Sequence, residues 1–330
     1  MSFRFFNHSY IFNDVYLLDK ATIAGPKESK GPLNDYFDQV YNDYYCKQKT
    51  FEKAERKMLE DALYLCLKKA KLSLKDIDLY IGGDLTNQIT SVHYLARNIP
   101  APFIGIYGAC SSFALSSIIC ALMIEAGYVS HAMSLVSSHN LTAERQFRYP
   151  CEYGVQRRNT STFTATGAIA SLYSSTKSSI KVESMTLGQV IDYQQNDAND
   201  MGRVMAIGAY DTIMTHFKDL NRSFDDYDCI FTGDLSGYGL KILKEMLGSE
   251  KINDCGCLLY DVEKQNVNQG GSGCACSGLV TMAYLYELLK NKTYKRILIV
   301  STGALLSPLV LAQKETIPTV AHAFSLEVLC

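Results

Sequence analysis

The chain of 330 residues carries 32 lysines and arginines against 34 aspartates and glutamates. That balance leaves no basic face for nucleic acid and no polybasic cluster for an anionic membrane. The length allows one or two domains around a large core. The polar, charged opening MSFRFFNHSYIFND does not read as a signal peptide, so the eleven cysteines are expected to be reduced thiols of a cytosolic protein.

Gly25-Pro26 and Gly31-Pro32 bracket a charged loop. The aromatic-rich run 36–45 suggests a short helix, part of a lid or a dimer-facing segment. An amphipathic helix is predicted over 51–71, with Met58, Leu59, Ala62, Leu65 and Cys66 on one side and lysines and glutamates on the other. A strand follows at 79–81, closed by Gly82-Gly83. Asp84, Asn87 and Gln88 come just past its carboxyl end, where open α/β sheets place their ligands.

No residue from 98 to 124 is charged. Pro100, Pro102, Gly105 and Gly108 break the run, which is therefore predicted as strand, turn and helix, not as a membrane span. The strand, 103–107, is apolar enough to be buried on both faces. Gly108 lets the backbone turn, Cys110 sits at the turn, and from about Ser112 a helix apolar on nearly every side belongs inside a core. At the amino end of that helix the Cys110 sulfur is expected to feel unpaired N–H groups and the positive end of the dipole, which favour thiolate over thiol. Cys255, Cys257, Cys274 and Cys276 are the one cysteine group with metal-like spacing. Their C-x-C pairs are tighter than zinc knuckles and have no histidine nearby, so no metal site is expected.

The chain repeats itself. Residues 73–85, SLKDIDLYIGGDL, match residues 223–235, SFDDYDCIFTGDL, at six of thirteen positions. Ala109-Cys110-Ser111 is echoed by Ala275-Cys276-Ser277, each opening a helix uncharged over its first turns, and residues 131–143 are matched by 295–307. Three matches in one order imply an internal duplication. Two α/β halves, 1–175 and 176–330, are expected to pack about a pseudo-twofold axis.

A duplicated α/β chain with G-A-C-S opening a buried helix in its first half resembles the thiolase superfamily, which includes the ketoacyl-synthase condensing enzymes. The strings AGPKESKGPL, GDLTNQ, IYGACSS, SSHNLTAERQFRYPCEYG, TGDLSGYG, GGSGCACS and STGALLSP, in that order and spacing, resemble more narrowly the AD-subunit family of the stage V sporulation protein A complex of spore formers. Against the condensing enzymes the cysteine maps to Cys110. The partner histidine falls on Gly233 and the asparagine on Ser272. Side chains of glycine and serine do not replace the proton-transfer and oxyanion groups of such an enzyme.

The sporulation-family resemblance implies a non-catalytic subunit that binds dipicolinic acid (pyridine-2,6-dicarboxylate, as such or as its calcium salt) for uptake into the forespore and release on germination. It implies membrane subunits of that complex as partners, a peripheral place at the spore inner membrane, no cofactor and no nucleic acid. A homodimer is expected, paired near Ser134 to Ser138 in the strand after the Cys110 helix. Cys110, Ser111, Asp84, Asn87, His139, Asp192, Asp234 and Lys314 are the candidate ligand contacts. Lys314 stands among apolar residues and is expected to need a carboxylate partner. Residues 144–150 read as a charged loop that one half could push toward the other, the alternative for Arg145 and Arg148 being plain surface charge. The alternative is an acyl-transferring condensing enzyme of ketoacyl-synthase III type, with His139 or His322 as surrogate base.

Overall fold

The structure is a computed structural model that describes residues 8–147 and 157–329. Ten strands follow one another across a continuous sheet. From one edge they are Ile252–Asp254, Cys229–Thr232, Arg296–Ala304, Thr319–Val328, Ile180–Leu187, Tyr16–Ala24, Gly167–Ser174, His131–Ser138, Leu79–Gly83 and Phe103–Gly105. Numbered by order within its own half, each set of five runs third, second, fourth, fifth, first toward the middle. The two first strands meet there, where Tyr16 and Leu17 pair with Lys181 and Ile180. The palindrome is the architectural form of the duplication, and the chain passes from one set to the other between Ser174 and Ile180.

Helices cover the strands in a way the sequence patterns dictate. Phe51–Ala70 buries Met58, Leu59, Ala62 and Cys66 against the first-half sheet, and Met201–Leu220 does the same for the second half with Met205, Ala209 and Ile213. Thr50 caps the first of these by accepting the Lys53 N–H. Helix Ser112–Glu125 is apolar all round because it lies inside, beside the helix that starts at Cys274. Gly278 of that second helix lies against Ile169 and the ring of Phe113, leaving no room for a Cβ. The second inner helix passes through a π segment, Val280–Leu285, before it continues to Lys290.

The repeated segment shows why its polar identities recur. Ser73 and Asp76, like Ser223 and Asp226, form reciprocal capping boxes. Asp78 accepts the N–H groups of Ser130 and His131, and Asp228 accepts those of Lys295 and Arg296. Each aspartate thereby fixes the start of the neighbouring strand.

Three expectations are corrected. The strand before Cys110 is Phe103–Gly105 and forms a sheet edge, with Ile104 exposed, instead of a strand buried on both faces. His131–Ser138 is no edge: it pairs with Leu79–Gly83 on one side and Gly167–Ser174 on the other, so it has no open backbone for a second copy. Residues 36–45 form no helix. A 3-10 turn at Asn34–Tyr36 leads into a two-residue strand, Gln39–Val40, beside Ile23 and Ala24. Among the described residues no helix is long and apolar enough to cross a membrane.

Gly303, on the fourth strand of the second half, has no space for a side chain. A Cβ there would lie 2.5 Å from the carbonyl oxygen of Gly108 and 3.3 Å from the Ser111 nitrogen. Gly303→Ala is therefore expected to destabilise the fold by about 1–3 kcal/mol, the scale of core overpacking. Chemical denaturation measures this, and an unchanged midpoint would mean that the two halves do not press together at this point.

Candidate functional site

The turn that holds Cys110 spends its own donors locally. Ala109 has φ +50°, a left-handed conformation unusual for a residue with a side chain. The N–H groups of Ser111 and Ser112 bond the carbonyls of Gly108 (3.0 Å) and Ala109 (3.2 Å), and their hydroxyls donate to the same two carbonyls at 2.6 and 2.8 Å. Ser111 is thus a brace of the turn, fully buried. Cys110 itself is half-buried.

Across from it stands Asp234, at the carboxyl end of the second-half strand Cys229–Thr232. Its carboxylate accepts the Thr302 hydroxyl (2.6 Å) and the Gly273 N–H (3.1 Å), and its charge acts on the Cys110 thiol. Burial, then the charge of Asp234, hold the thiol well above its ordinary pKa. The expected thiolate is therefore corrected to a thiol. The nearby amides are already committed, and the closest charge is negative. Asp234 is itself pushed up to about 7, mainly by burial. Cys274, whose thiol donates to the Ser137 carbonyl at 2.9 Å, and Tyr107, on the rim, feel the same cluster of groups.

Other candidates lie elsewhere or serve the scaffold. Asp84, the sequence counterpart of Asp234, turns back on its own segment and accepts the N–H groups of Thr86 and Val92 and the Thr86 hydroxyl. It lies near Glu55, a fully buried carboxyl raised by burial and by the charge of Asp84. Asn87 exchanges two hydrogen bonds with Gln146. His139 is corrected from pocket wall to core. Its Nδ1 accepts the Leu141 N–H, so Nε2 donates to the Tyr44 carbonyl, and its ring stacks on Phe51. Burial lowers it to about 4, which keeps it neutral. His322, likewise lowered to about 4 by burial, accepts the Gly188 N–H.

Asp192 is exposed and bonded to Gln194 and Thr316. Lys314 is corrected as well. It is exposed in a left-handed turn after helix Pro308–Ala312, in water, so it needs no buried carboxylate. Arg145 pairs with Glu52 at 2.7 Å, and Arg148 lies outside the described residues.

Gly233 has its Cβ direction closed by Ser301 Cα (3.1 Å) and Thr302 N (3.3 Å), so a side chain there would strike the next strand. The residue that the second half turns to the thiol is its neighbour, Asp234. Ser272 ends a two-residue strand, Gly271–Ser272, paired with Phe163–Thr164. Sequence reasoning missed the cations on that pairing: Lys27 Nζ lies 4.3 Å from the Phe163 ring centre and the Arg157 guanidinium 5.7 Å. Both lie in loops, away from every strand-end motif, and no local pattern joins them. Arg157 also bridges to Glu144 at 2.8 Å.

Comparison with known proteins follows this geometry. The family model described as stage V sporulation protein AD matches residues 7–327. The chain belongs to the stage V sporulation protein AD family. It is 46% identical over 319 residues to stage V sporulation protein AD of Bacillus subtilis (strain 168), covering 95% of this chain and 94% of that one. Among solved structures it is similar to a single-residue variant of OleA from Xanthomonas campestris, with a TM-score of 0.63 and 14% identity over 96% of this chain and 99% of the other. It is similar also to 3-oxoacyl-(acyl carrier protein) synthase III, FabH, of Xanthomonas oryzae pv. oryzae, with a TM-score of 0.60 and 14% identity over 97% and 100% of the two chains. The fold is thiolase-like. A member of a sporulation family thus has the fold of condensing enzymes.

The state of Cys110 is open to test. At neutral pH it is expected to react with iodoacetamide more slowly than an unperturbed cysteine. Asp234→Asn is expected to speed the reaction, by up to about tenfold for each unit by which the thiol pKa falls. Peptide mapping by mass spectrometry follows the site among the other cysteines. Rapid labelling of wild-type Cys110 at pH 7 would contradict the thiol assignment.

Proposed function

We propose that this chain is a non-catalytic subunit that binds pyridine-2,6-dicarboxylate, free or as its calcium salt, at the mouth of Cys110. It would serve the movement of that compound into the forespore and out again on germination. The single observation that carries the reading is the company kept by Cys110 within a sporulation-family chain. A protonated thiol faces an acid, and the backbone of the neighbouring strand fills the space behind Gly233. Condensing chemistry starts from an activated sulfur and ends with a base and an oxyanion hole. A buried thiol beside a carboxylate is a poor start.

A planar dicarboxylate asks for donors and cations around a slot. Tyr107 and the Lys27–Arg157 pair over Phe163 offer groups of that kind. Binding at the inner membrane through the complex's membrane subunits agrees with a chain that offers no crossing helix among its described residues. A second copy would pair through the open edge Phe103–Gly105, where Ile104 and Tyr107 are exposed, in place of the strand first expected.

Cys110→Ala is expected to weaken binding by only about 1 kcal/mol, the scale of one neutral hydrogen bond. Cys110→Asp is expected to weaken it far more, because it sets another carboxylate against the ligand. Calorimetry on variants with unchanged melting decides this, and equal affinity of wild type and Cys110→Asp would put the ligand elsewhere. An acyl adduct on Cys110 after incubation with acyl-CoA would favour the condensing-enzyme alternative. For the dimer, Ile104→Arg is expected to yield monomers by light scattering. A variant as dimeric as the wild type would remove that edge as the interface.

A further inference from the structure

We propose that the cavity between the strand Tyr16–Ala24 and the far end of the second inner helix is a second binding site. Its ligand is a small zwitterion that carries one carboxylate and one ammonium group on an apolar or aromatic body. This inference does not depend on the ligand reading at Cys110.

The cavity is half open and holds about 670 Å³. That is the size of small-molecule sites, roughly 300–1,000 Å³. Both halves of the chain build it. The first half supplies Asp19 and Lys20 of the strand, the segment 35–38, and Lys69 near the end of helix Phe51–Ala70. The second half supplies residues of 286–291. The inner helix that begins at Cys274, in the surroundings of Cys110, reaches the cavity only at Tyr286. That is roughly 18 Å farther along its axis, so the cavity is not the mouth of Cys110.

The floor of the cavity calls for a hydrogen-bond acceptor. Lys20 is 3% exposed, and its ammonium carries three N–H groups. Among the described residues it has one hydrogen-bond acceptor, Asp38 Oδ2 at 3.0 Å. Asp38 has little more to give. The same oxygen accepts the N–H (2.9 Å) and the hydroxyl (3.1 Å) of Thr22, and the other oxygen accepts Lys69 Nζ at 2.9 Å. The Tyr286 ring, its centre 5.2 Å from Lys20 Nζ, offers only its face. A ligand carboxylate would supply the missing acceptor through a charge-assisted hydrogen bond.

The rest of the lining disfavours a bare anion. Four carboxylates, Asp19, Asp35, Asp38 and Glu287, face three ammonium groups, those of Lys20, Lys69 and Lys290. Lys69 pairs with Asp38 and lies 3.6 Å from Asp19, and Lys290 lies 3.9 Å from Glu287. Asp35 is left over. It is exposed, accepts the Asn34 amide at 3.0 Å, and has no cation partner among the described residues. A dianion would add charge to a lining that is already negative. A zwitterion adds none, and it brings an acceptor for Lys20 together with a donor for Asp35. The remaining walls are aromatic and suit an apolar body. Phe37 is buried, and Tyr36 is held edge-on by Tyr284 of the second half, with ring centres 5.0 Å apart.

The test is calorimetric titration of the full chain with L-phenylalanine and L-leucine. Two compounds with a matched body and a single charge, 3-phenylpropionate and phenethylamine, are the controls. Both amino acids are expected to bind saturably, and each control at least about tenfold more weakly than L-phenylalanine, the scale of one lost charge-assisted hydrogen bond. Lys20→Met is expected to weaken amino-acid binding by at least about tenfold for the same reason. Asp35→Lys, at an exposed position, is expected to do likewise, because it sets an ammonium against that of the ligand. This second variant keeps the test usable if Lys20→Met fails to fold, and melting curves establish which variants are folded. No saturable binding of either amino acid by the folded wild type overturns the inference. Either control binding as tightly as L-phenylalanine overturns it too, since the site would then read a single charge. Unchanged affinity in Asp35→Lys puts the amino acid elsewhere on the molecule and overturns it as well.

Discussion

The turn that carries Cys110 is clamped from the opposite half of the molecule. Backbone at Gly303 lies where no side chain fits against the Gly108 carbonyl, and Asp234 reaches the thiol from the next strand along. Neither half makes this site alone. The position of the sulfur therefore depends on how the two duplicated sheets are set against each other. The palindromic strand order, with its central pairing of Tyr16 and Leu17 to Lys181 and Ile180, provides that setting. The left-handed Ala109 is held in place by the same contacts and by four hydrogen bonds to the carbonyls of Gly108 and Ala109.

Duplication supplied two aspartates for one job, and their fates divide the molecule. Asp84 stays local and accepts the N–H groups that follow its own strand. In the second half Asp254, from the neighbouring strand, accepts the N–H groups of Leu235 and Ser236 instead. Asp234 is thereby released from capping: it accepts from Thr302 and Gly273 of its own half, and its charge acts on Cys110 across the seam. An identical pair in the sequence has become one structural group and one group of the site. The same division explains why the sulfur is a thiol. A helix amino end favours thiolate only where its amides are open and no anion stands closer.

Patterns that depend on near neighbours were readable from the chain. The two amphipathic helices, the buried helix from Ser112 and the capping boxes built on Ser73 and Asp76 all rest on contacts a few residues apart or on a fixed period. The central strands Tyr16–Ala24, Gly167–Ser174, Ile180–Leu187 and Thr319–Val328 were not read, because their pairings join distant parts of the chain. Polar residues such as Lys20 and Glu183 interrupt their apolar runs and are satisfied by Asp38 and Arg222. Lys314 was misjudged from local hydropathy, and His139 from its place at the end of the strand beside the Cys110 helix. A left-handed turn put the lysine in water, and Phe51, far earlier in the chain, covered the histidine. Cys110 and Asp234 were both named from the sequence, but only the seam between the halves shows that they are partners.

A crystal structure of the protein grown with pyridine-2,6-dicarboxylate is the most direct test of the account. The expected result is the flat ring at the mouth of Cys110, beside Tyr107. Ligand bound firmly in another part of the molecule, with the mouth of Cys110 holding only water, would contradict it.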